Sequence, residues 1–286
     1  MSSQLTPLPD PLGDPATPAV TGDAYGTPVE VIVPPPPEKR FPAWSGWDVL
    51  AVLVFTGFCV LLFITIAMFS TGVITGHGAL SMAELTGNAV VVRAFLAGQA
   101  AAYLVVLLCM FLLVRSRSGA SFAPAIQWNW PGRTGLAFFV GGTLLALAVD
   151  GLSRYLPLPK SLPIEDLFNN TANAYFMAAF GLTMAPLLEE LFFRGLLYPV
   201  LRRRLGIVVA VLLTSIGFAA IHSVQLGYAW APILSIFVVG AVFTVVRQRW
   251  SSVGASFLMH CGYNFTLFSL LWFASDHFRH LEKAAG

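Results

Sequence analysis

The stretch "APLLEELFFRG", residues 185–195, sets two adjacent carboxylates, Glu189 and Glu190, and one guanidinium, Arg194, in otherwise apolar surroundings. Their spacing separates their roles. Glu190 and Arg194 are four residues apart, so on a helix they share a face and form an ion pair with the acid N-terminal to the base, the favoured order. Glu189 is turned away from that face and is left for another partner. Between Arg204 and Arg247 the chain has no Asp, Glu, Lys or Arg, yet His222 stands in "FAAIHSV". Between Arg249 and Asp276 there is again none, yet His260 and Asn264 stand four apart in "FLMHCGYNF" and face one way on a helix. The plain alternative is a packing cluster of ions and core histidines. Against it, polar groups at membrane depth cost several kcal/mol, about 2.5 to 3.5 for fully charged types, and usually have an interior task.

A carboxylate, two imidazoles and a carboxamide suit the activation of water. A glutamate, or a metal held by imidazoles, eases deprotonation of water, while His and Asn donors stabilise the oxyanion that forms at a peptide carbonyl. Serine chemistry has less support, since GxSxG is absent and Ser223 beside His222 lacks a relay. The zinc-protease pattern HExxH is absent as well.

The elements that must position these groups are membrane helices. Of the 286 residues, 57% are hydrophobic and 10% charged, with a mean hydropathy of +0.76, far from the make-up of a soluble domain. Seven apolar segments follow from Trp47 onward, over 47–69, 94–114, 134–153, 171–201, 206–223, 230–246 and 251–273. Each is near the roughly 20 residues a helix needs to cross hydrocarbon. The expected fold is therefore all-α, a polytopic transmembrane helical bundle of about seven spans. The fourth segment is long, and a kink is expected near Pro186 or Pro199.

The division is threefold: a Pro-rich tail over 1–43, N-terminal transmembrane helices over 44–160, and a motif-bearing core with a short C-terminal tail over 161–286. The first part ends in "VPPPPEKR", has no apolar periodicity and should be a disordered cytoplasmic spacer, not a signal peptide. Lys39 and Arg40, then Arg115, Arg117 and Arg133, then Arg202 to Arg204, then Arg247 and Arg249 fall on one side if that tail is cytoplasmic. The opposite loops carry Glu84, Arg93, Arg154, Lys160, Glu165 and Asp166. This predicts a multi-pass protein of the cell membrane with its N-terminus inside. The net charge of +2 gives no sign of nucleic acid as a partner. Cys59, Cys109 and Cys261 lie in apolar segments without paired spacing and read as core residues. Counting about 1.5 Å per residue from the basic helix ends places Glu189 roughly 20 Å above Arg202, His222 roughly 24 Å above Gly206 and His260 roughly 15 Å above Arg249, which permits one common layer.

Three elements then stand in order, "EELFFR" at 189–194, "FAAIH" at 218–222 and "HCGYN" at 260–264. This EExxxR, FxxxH, HxxxN series on separate membrane helices resembles the CAAX protease and bacteriocin-processing (CPBP, or Abi) family, related to type II CAAX prenyl proteases, over about residues 171–273. The resemblance implies an intramembrane endopeptidase acting on a membrane-associated protein or peptide, with its core in the C-terminal half. It implies Glu189 as the water-activating glutamate with His222 beside it, and His260 with Asn264 serving the oxyanion or a metal. Glu190 and Arg194 match the motif's second acid and its arginine, and Phe218 would set the rotation of His222. Glu189, His222 and His260 could make a three-ligand open zinc site, or Glu189 and His222 could act on water unaided. Two readings compete with hydrolysis: a non-catalytic scaffold or immunity-type protein, and a proton-coupled transporter using Glu and His as a relay.

Overall fold

A computed structural model describes residues 41–71, 88–159, 162–168 and 170–280. The expected tail as far as residue 40, with Lys39 and Arg40, and the loop residues Glu84 and Lys160 lie outside the described residues. Every described element is helical: α1 Gly46–Ser70, α2 Ala89–Ser118, α3 Gly135–Ser153, α4 Thr171–Leu182, α5 Met184–Glu189, a π helix Glu190–Leu197, α6 Tyr198–His222, α7 Trp230–Trp250 and α8 Val253–Ala274. Their starts follow the sequence. Ser45 and Asp48 form a reciprocal capping box on α1, Asn88 caps α2, Asn170 caps α4 and Ser252 caps α8.

Among the described residues, six helical stretches are long and apolar enough to cross a membrane, and one of them is the 52-residue run Thr171–His222. Straight, that run would measure about 78 Å, more than twice a hydrocarbon core. It is broken twice. Thr183 leaves helical geometry at φ −125° and ψ −76°, and Gly206 does so at φ 80° and ψ 175°, a conformation that favours glycine. The other five stretches and the two pieces parted at Gly206 make seven apolar segments at the places read from the sequence, and the fourth of these is divided again at Thr183. The first break lies at Thr183 because Pro186 has no N–H for the Leu182 carbonyl and its ring crowds that oxygen. Pro199 produces no kink; it sits in the first turn of α6, where a missing N–H costs little.

Close packing joins the two halves of the chain. α1 lies along α2, α6 along α7, and α3 along α8. At the last contact both helices present glycine: a Cβ on Gly142 would run into the Met259 carbonyl, and one on Gly262 into the Phe139 carbonyl. Small residues let backbones approach this way where lipid offers no hydrophobic drive for association. Outward faces keep apolar side chains such as Val54, Leu61, Leu104, Leu136, Val208 and Phe273 exposed, as a bundle solvated by lipid tails requires. Together the spans make this a multi-pass membrane protein. The three cysteines are free, with Cys59 buried.

Several basic residues gather at one end. Arg117 closes α2 with an ion pair to Asp48 at the start of α1, 2.6 Å apart, and Arg203 donates to the Pro42 carbonyl at 2.8 Å. Trp44, also at this end, is buried and donates from Nε1 to the Leu196 carbonyl at 2.9 Å. Arg247 differs from its expected place among loop charges. It is 1% exposed and donates to the Arg194 carbonyl at 3.2 Å and to Gln127 Oε1 at 2.7 Å, so it clamps α7 to the π helix. Replacing Gly262 with Val should lower stability by about 1–3 kcal/mol through overpacking, read as a lower thermal midpoint in detergent. Gly57→Ala, where a Cβ meets nothing within 4 Å, should leave that midpoint in place.

Candidate active site

The local backbone decides how the two glutamates diverge. α5 ends at Glu189, and from Glu190 the helix widens to i→i+5 bonding for eight residues, a rare geometry that recurs at functional sites. The sequence reading assumed an α-helix here. The wider turn still brings Glu190 and Arg194 together, Nη1 to Oε1 at 2.9 Å, with both side chains fully buried.

The rest of the guanidinium is also satisfied. Nη2 donates to the Gly240 carbonyl at 2.9 Å and Nε to Thr244 Oγ1 at 3.3 Å, both on α7. Thr244 in turn donates to the same Gly240 carbonyl at 2.8 Å. Phe218 lies under the guanidinium at 4.5 Å from ring centroid to Cζ, a cation–π contact that strengthens where water is excluded. Gly240 is required here, because a Cβ would come within 2.9 Å of the Phe218 ring.

Glu190 has a further partner that the spacing did not disclose. His260 Nδ1 donates to Glu190 Oε1 at 3.0 Å, since a carboxylate paired with arginine can only accept. This fixes the ring, with Phe243 packed 4.8 Å from it, and turns Nε2 toward Glu189 Oε2 at 3.7 Å. His222 is oriented by the same device. Its Nδ1 donates to the Phe218 carbonyl at 2.8 Å, one turn back on α6, so Nε2 faces Glu189 Oε1 at 3.9 Å. Phe218 also packs on both rings, at 4.9 Å from His222 and 5.8 Å from His260.

Glu189, His222 and His260 thus come together from α5, α6 and α8. In neutral rings both Nε2 atoms are acceptors, as is the carboxylate, and the separations exceed direct hydrogen bonds. One donor molecule such as water can bridge gaps of this width. Two imidazole nitrogens and a carboxylate also suit a divalent metal in kind, and the anchored Nδ1 atoms follow the usual orienting pattern of metal-bound histidines. Among the described residues, however, no group of three such side chains stands in metal-holding geometry.

The cluster opens on a cavity of about 550 Å³ bordered by Glu189, His222, His260 and Asn264. Asn264 donates from Nδ2 to the Gly181 carbonyl at 2.7 Å, which leaves its second N–H. The cavity wall also includes Gln99 and Tyr103 from α2 and Gln225 after α6. Sequence reading assigned nothing to the first three segments. The signal was present: Gln99 and Tyr103 are four apart in an apolar helix, the same spacing as His260 and Asn264.

The fold is thus a membrane bundle that walls a cavity with a partly buried glutamate, Glu189, and two oriented imidazoles. Residues 171–266 match the model of one family, described as type II CAAX prenyl endopeptidase Rce1-like. The three motifs that resembled the CAAX protease and bacteriocin-processing family all lie inside the match. No curated protein and no solved structure gave a match. The family supports a protease.

Removing Arg194 would strand the Glu190 charge in the bundle. Arg194→Ala should cost about 3–5 kcal/mol, against about 1 kcal/mol for Thr244→Val. Thermal unfolding of the two purified variants beside wild type checks that order.

Proposed function

We propose that the protein is an intramembrane endopeptidase that hydrolyses a peptide bond of a membrane-associated protein or peptide. The observation that carries this reading is the convergence of Glu189, His222 Nε2 and His260 Nε2 on the wall of the 550 Å³ cavity. Water held between Glu189 and His222 gives its proton to the Glu189 carboxylate as its oxygen bonds to the scissile carbonyl carbon. The carbonyl π pair moves to oxygen. The remaining Asn264 N–H donates to that oxyanion, and His260 donates from Nε2 when it carries a second proton. Collapse of the tetrahedral species breaks the C–N bond, and the proton held by Glu189 passes to the leaving nitrogen. A carboxylic acid and an amine result, and the site residues return to their starting state.

Glu190 and Arg194 have a structural role in this scheme. The pair holds His260 in place and touches no substrate. A divalent metal such as zinc, held by Glu189, His222 and His260, would supply Lewis acidity and lower the pKa of bound water. The substrate enters from the bilayer, and the related CAAX prenyl endopeptidases make a lipidated peptide a natural probe. The basic end, with Arg117 and Arg203, faces the cytoplasm in the orientation we propose for the cell membrane, with the N-terminus inside.

Glu189→Gln should abolish cleavage of membrane peptides while leaving the thermal midpoint near wild type, as measured by mass spectrometry of membranes and by unfolding of the purified variant. Cleavage at the wild-type rate by this variant would overturn the reading. A scaffold would show the opposite pattern, lost stability with cellular function following the folded fraction. Elemental analysis of wild type and His222→Ala checks the metal: a bound site gives one equivalent in wild type and clearly less in the variant.

A further inference from the structure

A second cavity of about 230 Å³ lies on the α1 and α2 side of the site, walled by apolar residues such as Leu53, Val60, Val106, Met110 and Leu188. Five residues border both cavities: Gln99, Tyr103, Glu189, His222 and Gln225. All five are polar in a bundle where polar residues are scarce. They form a polar partition between two apolar chambers, and the candidate water-activating group is part of it.

The hydrogen-bond inventory of the site is unbalanced. Glu189 and His222 Nε2 accept, and the one ring hydrogen of neutral His260 is taken by Glu190. Asn264 has one N–H left after the Gly181 carbonyl. An oxyanion in a low-dielectric site is best stabilised by more than one preorganised donor. Tyr103 is built to be the second. Gln99 Nε2 donates to Tyr103 Oη at 3.1 Å, which occupies a lone pair of the oxygen and leaves the phenolic hydrogen for the cavities. Phe180 packs on the Tyr103 ring at 5.3 Å and holds it on α2.

We infer that Tyr103, held by Gln99, is a further catalytic residue that donates a hydrogen bond to the oxyanion of the scissile carbonyl. The inference rests on the endopeptidase reading above. Tyr103 keeps its proton throughout, so the balance of the hydrolysis is unchanged. The donor comes from α2, outside the segment that matches the family model, so the N-terminal helices complete the site.

The test uses the full chain in lipid nanodiscs and a pool of quenched fluorogenic peptides of randomised sequence, with and without a farnesylated cysteine. Cleavage by wild type and none by Glu189→Gln upholds the endopeptidase reading and makes the second comparison meaningful. Tyr103→Phe should then lower kcat by about 100-fold, the usual loss for one oxyanion donor, with KM within about twofold of wild type. Its thermal midpoint should stay in place because ring packing on Phe180 is kept. Gln99→Leu should give a smaller loss in kcat of the same kind. Wild-type kcat in Tyr103→Phe, or a loss seen only in KM or in the thermal midpoint, would overturn the inference and leave the endopeptidase reading standing. A pool that wild type does not cut would remove both.

Discussion

The Glu190–Arg194 ion pair is the constraint around which this site is arranged. Two full charges with no exposed surface are costly in an apolar bundle unless further hydrogen bonds support the pair. Arg194 has Thr244 and the Gly240 carbonyl besides Glu190, and Glu190 Oε1 accepts from both Arg194 and His260, while its Oε2 is buried without a hydrogen bond. The π helix, α7 and α8 are therefore held by one charged network. Loosening any member would leave a charge in a medium that cannot solvate it. The consequence reaches Glu189, because the hydrogen bond that satisfies Glu190 is the one that aims His260 Nε2 at its neighbour.

The π helix makes this compatible with adjacent glutamates. Where α5 gives way to i→i+5 bonding, Glu190 turns into the charged network and Glu189 borders the cavity. Proline flanks the change on both sides, Pro186 before it and Pro199 after it. Pro186 interrupts the ladder at the Leu182 carbonyl, one short helix before the widened turn, and Pro199 follows its end in the first turn of α6. Arg247 then secures the widened turn by donating to the Arg194 carbonyl.

The broad architecture was legible because its signals are local. Twenty apolar residues between charges indicate a span, and a spacing of four places Glu190 against Arg194 under either α or π geometry. The merged 52-residue run was separable in sequence at Gly206 because the surrounding arginines and glycine interrupt hydropathy. Other features depend on partners far along the chain. The contact of Glu190 with His260 spans 70 residues, and the burial of Arg247 depends on the Arg194 carbonyl and on Gln127, 120 positions away. An arginine after an apolar run reads as a helix-end charge unless those partners are known. The π geometry was not legible either, since its hydrophobic pattern over eight residues differs little from an α-helix.

Gln99 and Tyr103 show why a motif is an incomplete description of such a site. The charged and imidazole residues stand out because they are expensive in hydrocarbon, whereas a glutamine and a tyrosine cost less and blend into an apolar helix. Yet beside Glu189 and His222, both acceptors, the scarce group is the hydrogen-bond donor. A bundle gains that donor most cheaply from a neutral hydroxyl or amide, which needs no counter-ion. On the proposed reading, the charged network marks where the site is, and the neutral residues of α2 supply donors that it lacks.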